Sequence, residues 1–320
     1  MPTDNPSTGT PTAPTRSTWG QFETTPDRGM ANYAGPDHVR DAATLVQRGA
    51  VFGLDYLLDA FVPSLATLRS APEHHVVSRH RDHRDDYLDG FWPQAASHLD
   101  GLRHRRHAEH GFYNGTPDAA IAAGNPALGI NHWSQHPIVG RGVLIDIGRH
   151  RTHLGKPIDH AGGEALDISE LDDTLAAQDV QLRTGDLLLI RTGWAQWFLD
   201  EATADQRAQI HTSKICTGLA QSQAAIDWFA DHQVALAASD TFALERLPAV
   251  ADSPFGSDTD HGMMHQELIA LLGLPIGELW KLDELGEDCD RDRRYECLLT
   301  VKPLNLTGGV GSPANATAIK

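Results

Sequence analysis

Cysteine, long apolar runs and positive charge are all in short supply, and each shortage removes a class of protein. The three cysteines, Cys216, Cys289 and Cys297, are an odd number with no CxxC spacing. They make neither a disulfide scaffold nor a zinc ribbon, and they suit a reducing, cytoplasmic setting. No apolar stretch approaches the roughly 18 residues needed to cross a bilayer. The opening MPTDNPSTGTPTAPTRS lacks the apolar core of a secretory signal. Lys and Arg total 26 against 43 Asp and Glu, a formal charge of −17. That argues against nucleic acid or an anionic membrane as the main partner and leaves a small molecule. The sequence also lacks a GxSxG elbow, a GxxxxGK(S/T) phosphate loop, a GxGxxG before a helix and any internal repeat.

What is present is enough for a large core, since 40% of the 320 residues are hydrophobic. A Pro/Ser/Thr-rich flexible leader is expected over residues 1–18, followed by one domain over 19–320. Apolar residues at helical spacing predict a helix over His38–Gly49. Buried strands are expected in RGVLIDIGRH (141–150), TGDLLLIRTGW (184–194), VALAASD (234–240), LPIGELWKL (274–282) and RYECLLTVKPLNL (294–306). Helices are expected between them: one after a capping box of Asp167 and Glu170, one over Gly218–His232, and one in HGMMHQELIALLG closed by Gly273. Trp194, Trp197 and Trp228 fall at core spacing. Strands and helices alternate, and several strands are apolar on both faces, which indicates a mixed α/β domain with a covered sheet.

Residues 70–115 hold eight of the 18 histidines, and within them PQAASHLDGLRH (93–104) carries the most chemistry. If 94–100 is extended, Gln94, His98 and Asp100 share one face. An imidazole and a carboxylate two residues apart make a half-site for Zn²⁺ or Mn²⁺. His104 follows Gly101, where a turn returns it over that site for general acid/base work. His265 opens a helix whose apolar face is Leu268, Ile269, Leu271 and Leu272. Glu278 stands alone in an apolar strand, where a cation or an arginine would offset its burial. Asp240 and Glu245 form a further acidic pair after a buried strand and read as turn-forming and helix-capping acids.

Together these segments resemble the cyclase-like metal-dependent hydrolases, the family of bacterial kynurenine formamidase and isatin hydrolase. QAASHLDGLRH occupies the place of the HxGTHxDxxxH hallmark. YNG (113–115), RGVLIDI, GDLLLIRTGW, SDTFALE, HQELIALLGLPIGELW and LTGGVGSPANATAI are similar to the longer branch, so the resemblance runs from Trp19 to the end. It implies a swivelling β/β/α fold with a mixed sheet flanked by helices, a homodimer or homotetramer, and hydrolysis of an amide or lactam by metal-activated water. By position it implies His98 and Asp100 as metal ligands, His104 as proton shuttle, and His265 and Glu278 as the distal ligand pair. Gln94 stands where the hallmark has its first histidine, and Ala96–Ser97 replace Gly-Thr. An amide oxygen is a weaker zinc ligand than imidazole, so one metal, a loosely held metal, or Mn²⁺ in place of Zn²⁺ is expected. The leading expectation is hydrolysis of a C–N bond in a small cyclic or aromatic amide. The alternatives are a metal-dependent cyclase or lyase, and a non-catalytic metal-binding relative.

Overall fold

The apolar segments at the middle of the sequence become the parallel centre of a large sheet. The computed structural model describes residues 13–256 and 260–320. Its early strands are β1 (Val51–Gly53), β2 (Glu73–Val77), β3 (Asp85–Asp89) and β4 (His98–Asp100). The central ones are β5 (Ile138–Asp146), β6 (Ala165–Leu166), β7 (Leu187–Arg191), β8 (Gly218–Leu219) and β9 (Leu236–Ser239). The late ones are β10 (Ile276–Glu278), β11 (Glu296–Val301), β12 (Gly311–Pro313) and β13 (Ala316–Ile319). Nine of them form one mixed sheet in the order β1-β13-β11-β5-β7-β9-β10-β4-β12. β5, β7, β9 and β10 run parallel, and the remaining neighbours are antiparallel. Every residue of β7 and β9 is buried, as befits parallel strands covered on both faces. Helices Pro36–Ala43, Ser169–Gln178 and Asp283–Asp292 pack on β5. The mixed α/β fold is thus the one expected.

Several boundaries differ from the sequence reading for local reasons. The first helix runs Pro36–Ala43, because Pro36 sets its first turn and the Nδ1 of His38 accepts from the amide of Gly35 at 3.1 Å. Asp167 makes no capping box with Glu170. It accepts instead from the amide of Ser169 at 2.9 Å, while Glu170 pairs with Arg151 at 2.9 Å. Gly218–Leu219 is strand β8, and the helix behind it begins at Gln223 under a Ser222 cap. Trp194 and Trp228 are buried, whereas Trp197 is only half-buried.

The leader expectation falls mostly on residues 1–12, which lie outside the described residues. The chain is fastened earlier than Trp19, since Arg16 pairs with Asp231 at 2.8 Å. The hydroxyl of Thr18 meets that of Tyr113 at 2.7 Å and donates to the carbonyl of Leu272 at 2.7 Å. In the histidine-rich stretch, β2 and β3 form an exposed hairpin. There His74, His75, His80 and His83 face nearby carboxylates at the surface. They belong to this hairpin and lie apart from the chemistry of residues 94–104.

Candidate metal centre

The centre is produced by strand register. β4 is three residues long and is inserted between β10 and β12. Antiparallel pairing sets His98 opposite Glu278 and Asp100 opposite Ile276 on one side, and Asp100 opposite Gly311 on the other. Directly opposed residues share a face, as do residues two apart on a strand. His98, Asp100 and Glu278 therefore converge, with one ligand atom from each lying within 4.8 Å of the others.

The strand is shorter than the extended 94–100 run expected, because Pro93 and Gln94 lie in a turn. The Gln94 side chain still reaches the centre across Gly311. A Cβ at Gly311 would stand 2.7 Å from Cγ of Gln94, so glycine keeps that path open. Gln94 presents its amide nitrogen, which donates to Oδ1 of Asp100 and, at 3.0 Å, to Nδ1 of His104. In this arrangement it acts as a donor. Ser97, in the place of the hallmark threonine, accepts from the amide of Tyr56 at 2.8 Å and so ties this turn to the segment that follows β1.

The residues fit a cation on three counts. The Nδ1 of His98 donates to the carbonyl of Ala96 at 2.7 Å. That leaves Nε2 aimed at Glu278, 3.2 Å away, and Asp100, 3.7 Å away. A ring held by its other nitrogen in this way is the usual posture of a metal-binding histidine. Asp100 Oδ2 is buried with no hydrogen-bond partner, and His98 Nε2, buried too, faces only the carboxylates of Glu278 and Asp100, an arrangement too costly to leave uncompensated. The donor set, one imidazole and two carboxylates, suits Zn²⁺ or Mn²⁺.

His265 borders this triad. Its Nε2 lies 2.8 Å from Oε1 of Glu278, and its Nδ1 bonds the buried Glu245. Glu245 also accepts from the amides of Met264 at 2.8 Å and His265 at 3.0 Å, and from Gln221 at 2.7 Å. The capping role read for Glu245 is present, joined by one the sequence did not signal, the orientation of the His265 ring. Asp240 plays the turn-forming part, accepting from the amides of Thr192 at 2.8 Å and Gly193 at 2.6 Å.

Charge follows from these contacts. Burial opposes a proton on His265, but Glu245 and Glu278 on either side outweigh it and push its pKa up to about 10. Burial likewise opposes protonation of His98, and Asp100 and Glu278 again prevail, so its pKa is raised. Glu278 resists burial and stays well below the usual carboxylate range because it faces both rings. His104 is the exception. Burial pulls it down to about 4 against the attraction of Asp100, whose Oδ2 lies 3.6 Å from its Nε2. It is therefore neutral at pH 7. His104, His265 and Glu278 open onto a cavity of about 310 Å³ whose other walls include Phe242, Leu247 and Met263.

The family model for cyclases matches residues 16–246. The chain belongs to the cyclase family. A crystal structure described as a novel cyclase shares 32% identity with this cyclase-family chain. It superposes with a TM-score of 0.81, covering 95% of this chain and 99% of that one. An isatin hydrolase bound to the product analogue thioisatinate has 15% identity and a TM-score of 0.56, over 86% of this chain and 93% of that one. Isatin hydrolase A from Labrenzia aggregata, bound to benzyl benzoate, has 14% identity and a TM-score of 0.55, over 87% and 94%. At such identities the isatin hydrolases show a shared fold. No curated protein matches the chain. No helix among the described residues is long and apolar enough to cross a membrane.

Proposed function

We propose that this cyclase-family protein is a metal-dependent hydrolase that cleaves a C–N bond in a small cyclic or aromatic amide. The observation that carries the reading is the convergence of three buried ligand groups, His98, Asp100 and Glu278, with Asp100 Oδ2 left without a hydrogen-bond partner, beside a cavity. His98, Asp100 and Glu278 hold the cation, with His265 flanking them and kept in place by Glu245. A divalent cation in such a site supplies Lewis acidity, lowering the pKa of water and polarising a carbonyl. His104, neutral at pH 7 and facing the cavity, takes a proton from the attacking water and returns it to the leaving nitrogen. Gln94 steadies both Asp100 and His104. Phe242, Leu247 and Met263 supply an apolar wall suited to a ring.

The test is turnover of cyclic amides and N-formyl arylamines in H₂¹⁸O, before and after chelation and after return of Mn²⁺ or Zn²⁺. One ¹⁸O in the product carboxylate, activity lost with the metal and restored by it, is the expected result. Product free of ¹⁸O would point to cyclase or lyase chemistry, and full activity in metal-stripped protein would end the reading.

A further inference from the structure

The cavity in front of the centre carries positive charge that neither the metal ligands nor His104 require. Arg69, Arg105 and Lys214 all line it. Arg105 is neutralised by Asp260 at 2.9 Å. Arg69 and Lys214 form no ion pair among the described residues; their side chains meet neutral groups instead. Arg69 donates to the carbonyl of Gln94, and Lys214 donates to the carbonyls of Leu65 and His211. These bonds tie both ends of the 65–69 segment and hold the two cations in place without cancelling their charge. Lys214 uses two of its three protons in this way. Its part-burial lowers its pKa. The same cavity is lined by Phe242, Leu247 and Met263.

We infer that Arg69 and Lys214 form an anion subsite, so that the substrate of this cavity carries a carboxylate, or an anion of similar size, on or beside an aromatic ring. A fixed pair of uncancelled cations next to an apolar wall recognises a benzoate-like group through charge-assisted hydrogen bonds. The anion docks on the 65–69 side while the scissile bond faces His104. The inference rests on the hydrolase reading for which bond is broken, but anion recognition itself needs no turnover. If the two side chains served only to pin the 65–69 segment, ligand charge would make no difference.

The experiment is calorimetric titration of metal-loaded protein with benzoate and with acetophenone, its neutral counterpart with no hydrolysable bond. Wild type is compared with Arg69→Met and Lys214→Met, with metal content measured in each. Benzoate is expected to bind about tenfold more tightly than acetophenone, a preference of the size of one charge-assisted hydrogen bond. Either substitution should erase it while leaving metal content and acetophenone binding unchanged. Equal affinity for the two ligands in wild type would overturn the subsite. So would benzoate binding that survives both substitutions, the pattern of direct attachment to the cation. If those variants do not fold, Arg69→Gln and Lys214→Gln, which can still donate to the carbonyls that pin the 65–69 segment but carry no charge, take their place, and a benzoate preference that survives both overturns the subsite. Should no amide be turned over while the benzoate preference persists, the hydrolase reading falls and the anion subsite stands.

Discussion

Replacing Glu245 with glutamine removes one charge and one acceptor from a fully buried position, and the structure fixes what each loss should do. Oε2 of Glu245 takes the amide of Met264 and the side chain of Gln221. Oε1 takes the amide and the Nδ1 of His265. A glutamine has a single oxygen, so whichever way its amide turns, its NH₂ meets a backbone N–H. One buried donor is left unpaired, at about 1–3 kcal/mol. The second effect is on the ring. The carboxylate of Glu245 accepts from Nδ1 of His265 and so keeps Nε2 directed at Glu278; an amide N–H facing Nδ1 would take that acceptor away and free the ring to turn. Loss of such an orienting partner costs about 10–100-fold in metal affinity. Denaturant unfolding of the metal-free protein reads the first effect, and chelator competition reads the second. Glu245→Gln with an unchanged midpoint and unchanged metal affinity would refute the orienting role and, with it, a place for His265 in the centre.

Other substitutions separate the remaining roles. Asp100→Ala should abolish metal binding, whereas His104→Ala should keep the metal and lose about 10²–10⁴ in turnover; elemental analysis beside kcat tells them apart. Gly311→Ala places a Cβ 2.7 Å from Cγ of Gln94 and 3.1 Å from the carbonyl of Leu99. It should displace Gln94 from Asp100 and His104, costing about 1–3 kcal/mol of stability by overpacking and a larger share of activity. Unchanged kcat would show that Gln94 is dispensable. Burial raises the carboxyl of Asp186 to about 6, against the pull of Arg141, while the unfolded chain titrates it near 3.9. Between those values the folded state binds more protons, so this group's contribution to stability is full below about pH 4 and is lost as pH rises through 6. The loss amounts to about 3 kcal/mol at most. Asp186→Asn, which does not titrate, should gain on wild type over that range, and a pH-independent difference would contradict the assignment.

The candidate site was legible where chemistry follows local periodicity. His98 and Asp100 were found because strand alternation puts them on one face, and Glu278 because a carboxylate in an apolar strand needs a reason. Gln94 reaches the site by a turn, over Gly311, and not by the extended run expected of it. The pairing of β4 with β10 and β12, which brings the residues together, has no local signal, because it joins segments far apart in sequence. Arg69 and Lys214 were missed for the same reason, as each lies in a loop whose place depends on a distant carbonyl. Glu245 shows the limit from another side. Its bonds to the helix start were foreseeable from its acidic character, and its bond to the His265 ring was not. The core strands β5, β7 and β9 needed only their apolar composition, while the ends of the helices turned on single caps such as Ser222.

The insertion of β4 between two late strands has a consequence for biosynthesis. A ribosome delivers His98 and Asp100 about 180 residues before Glu278, and β12 follows later still. Until then the early half of the centre is a short segment with nothing to pair with on either side, since contacts so distant in sequence close late in folding. The nascent chain thus has two candidate ligands but no enclosure, and a cation that met it would find a weak, open half-site. Only when the last quarter of the chain has emerged can β10 and β12 close around β4. Closure of the candidate centre thus waits for β10 and β12, and a divalent cation should bind the unfolded chain more weakly than it binds once the sheet has formed.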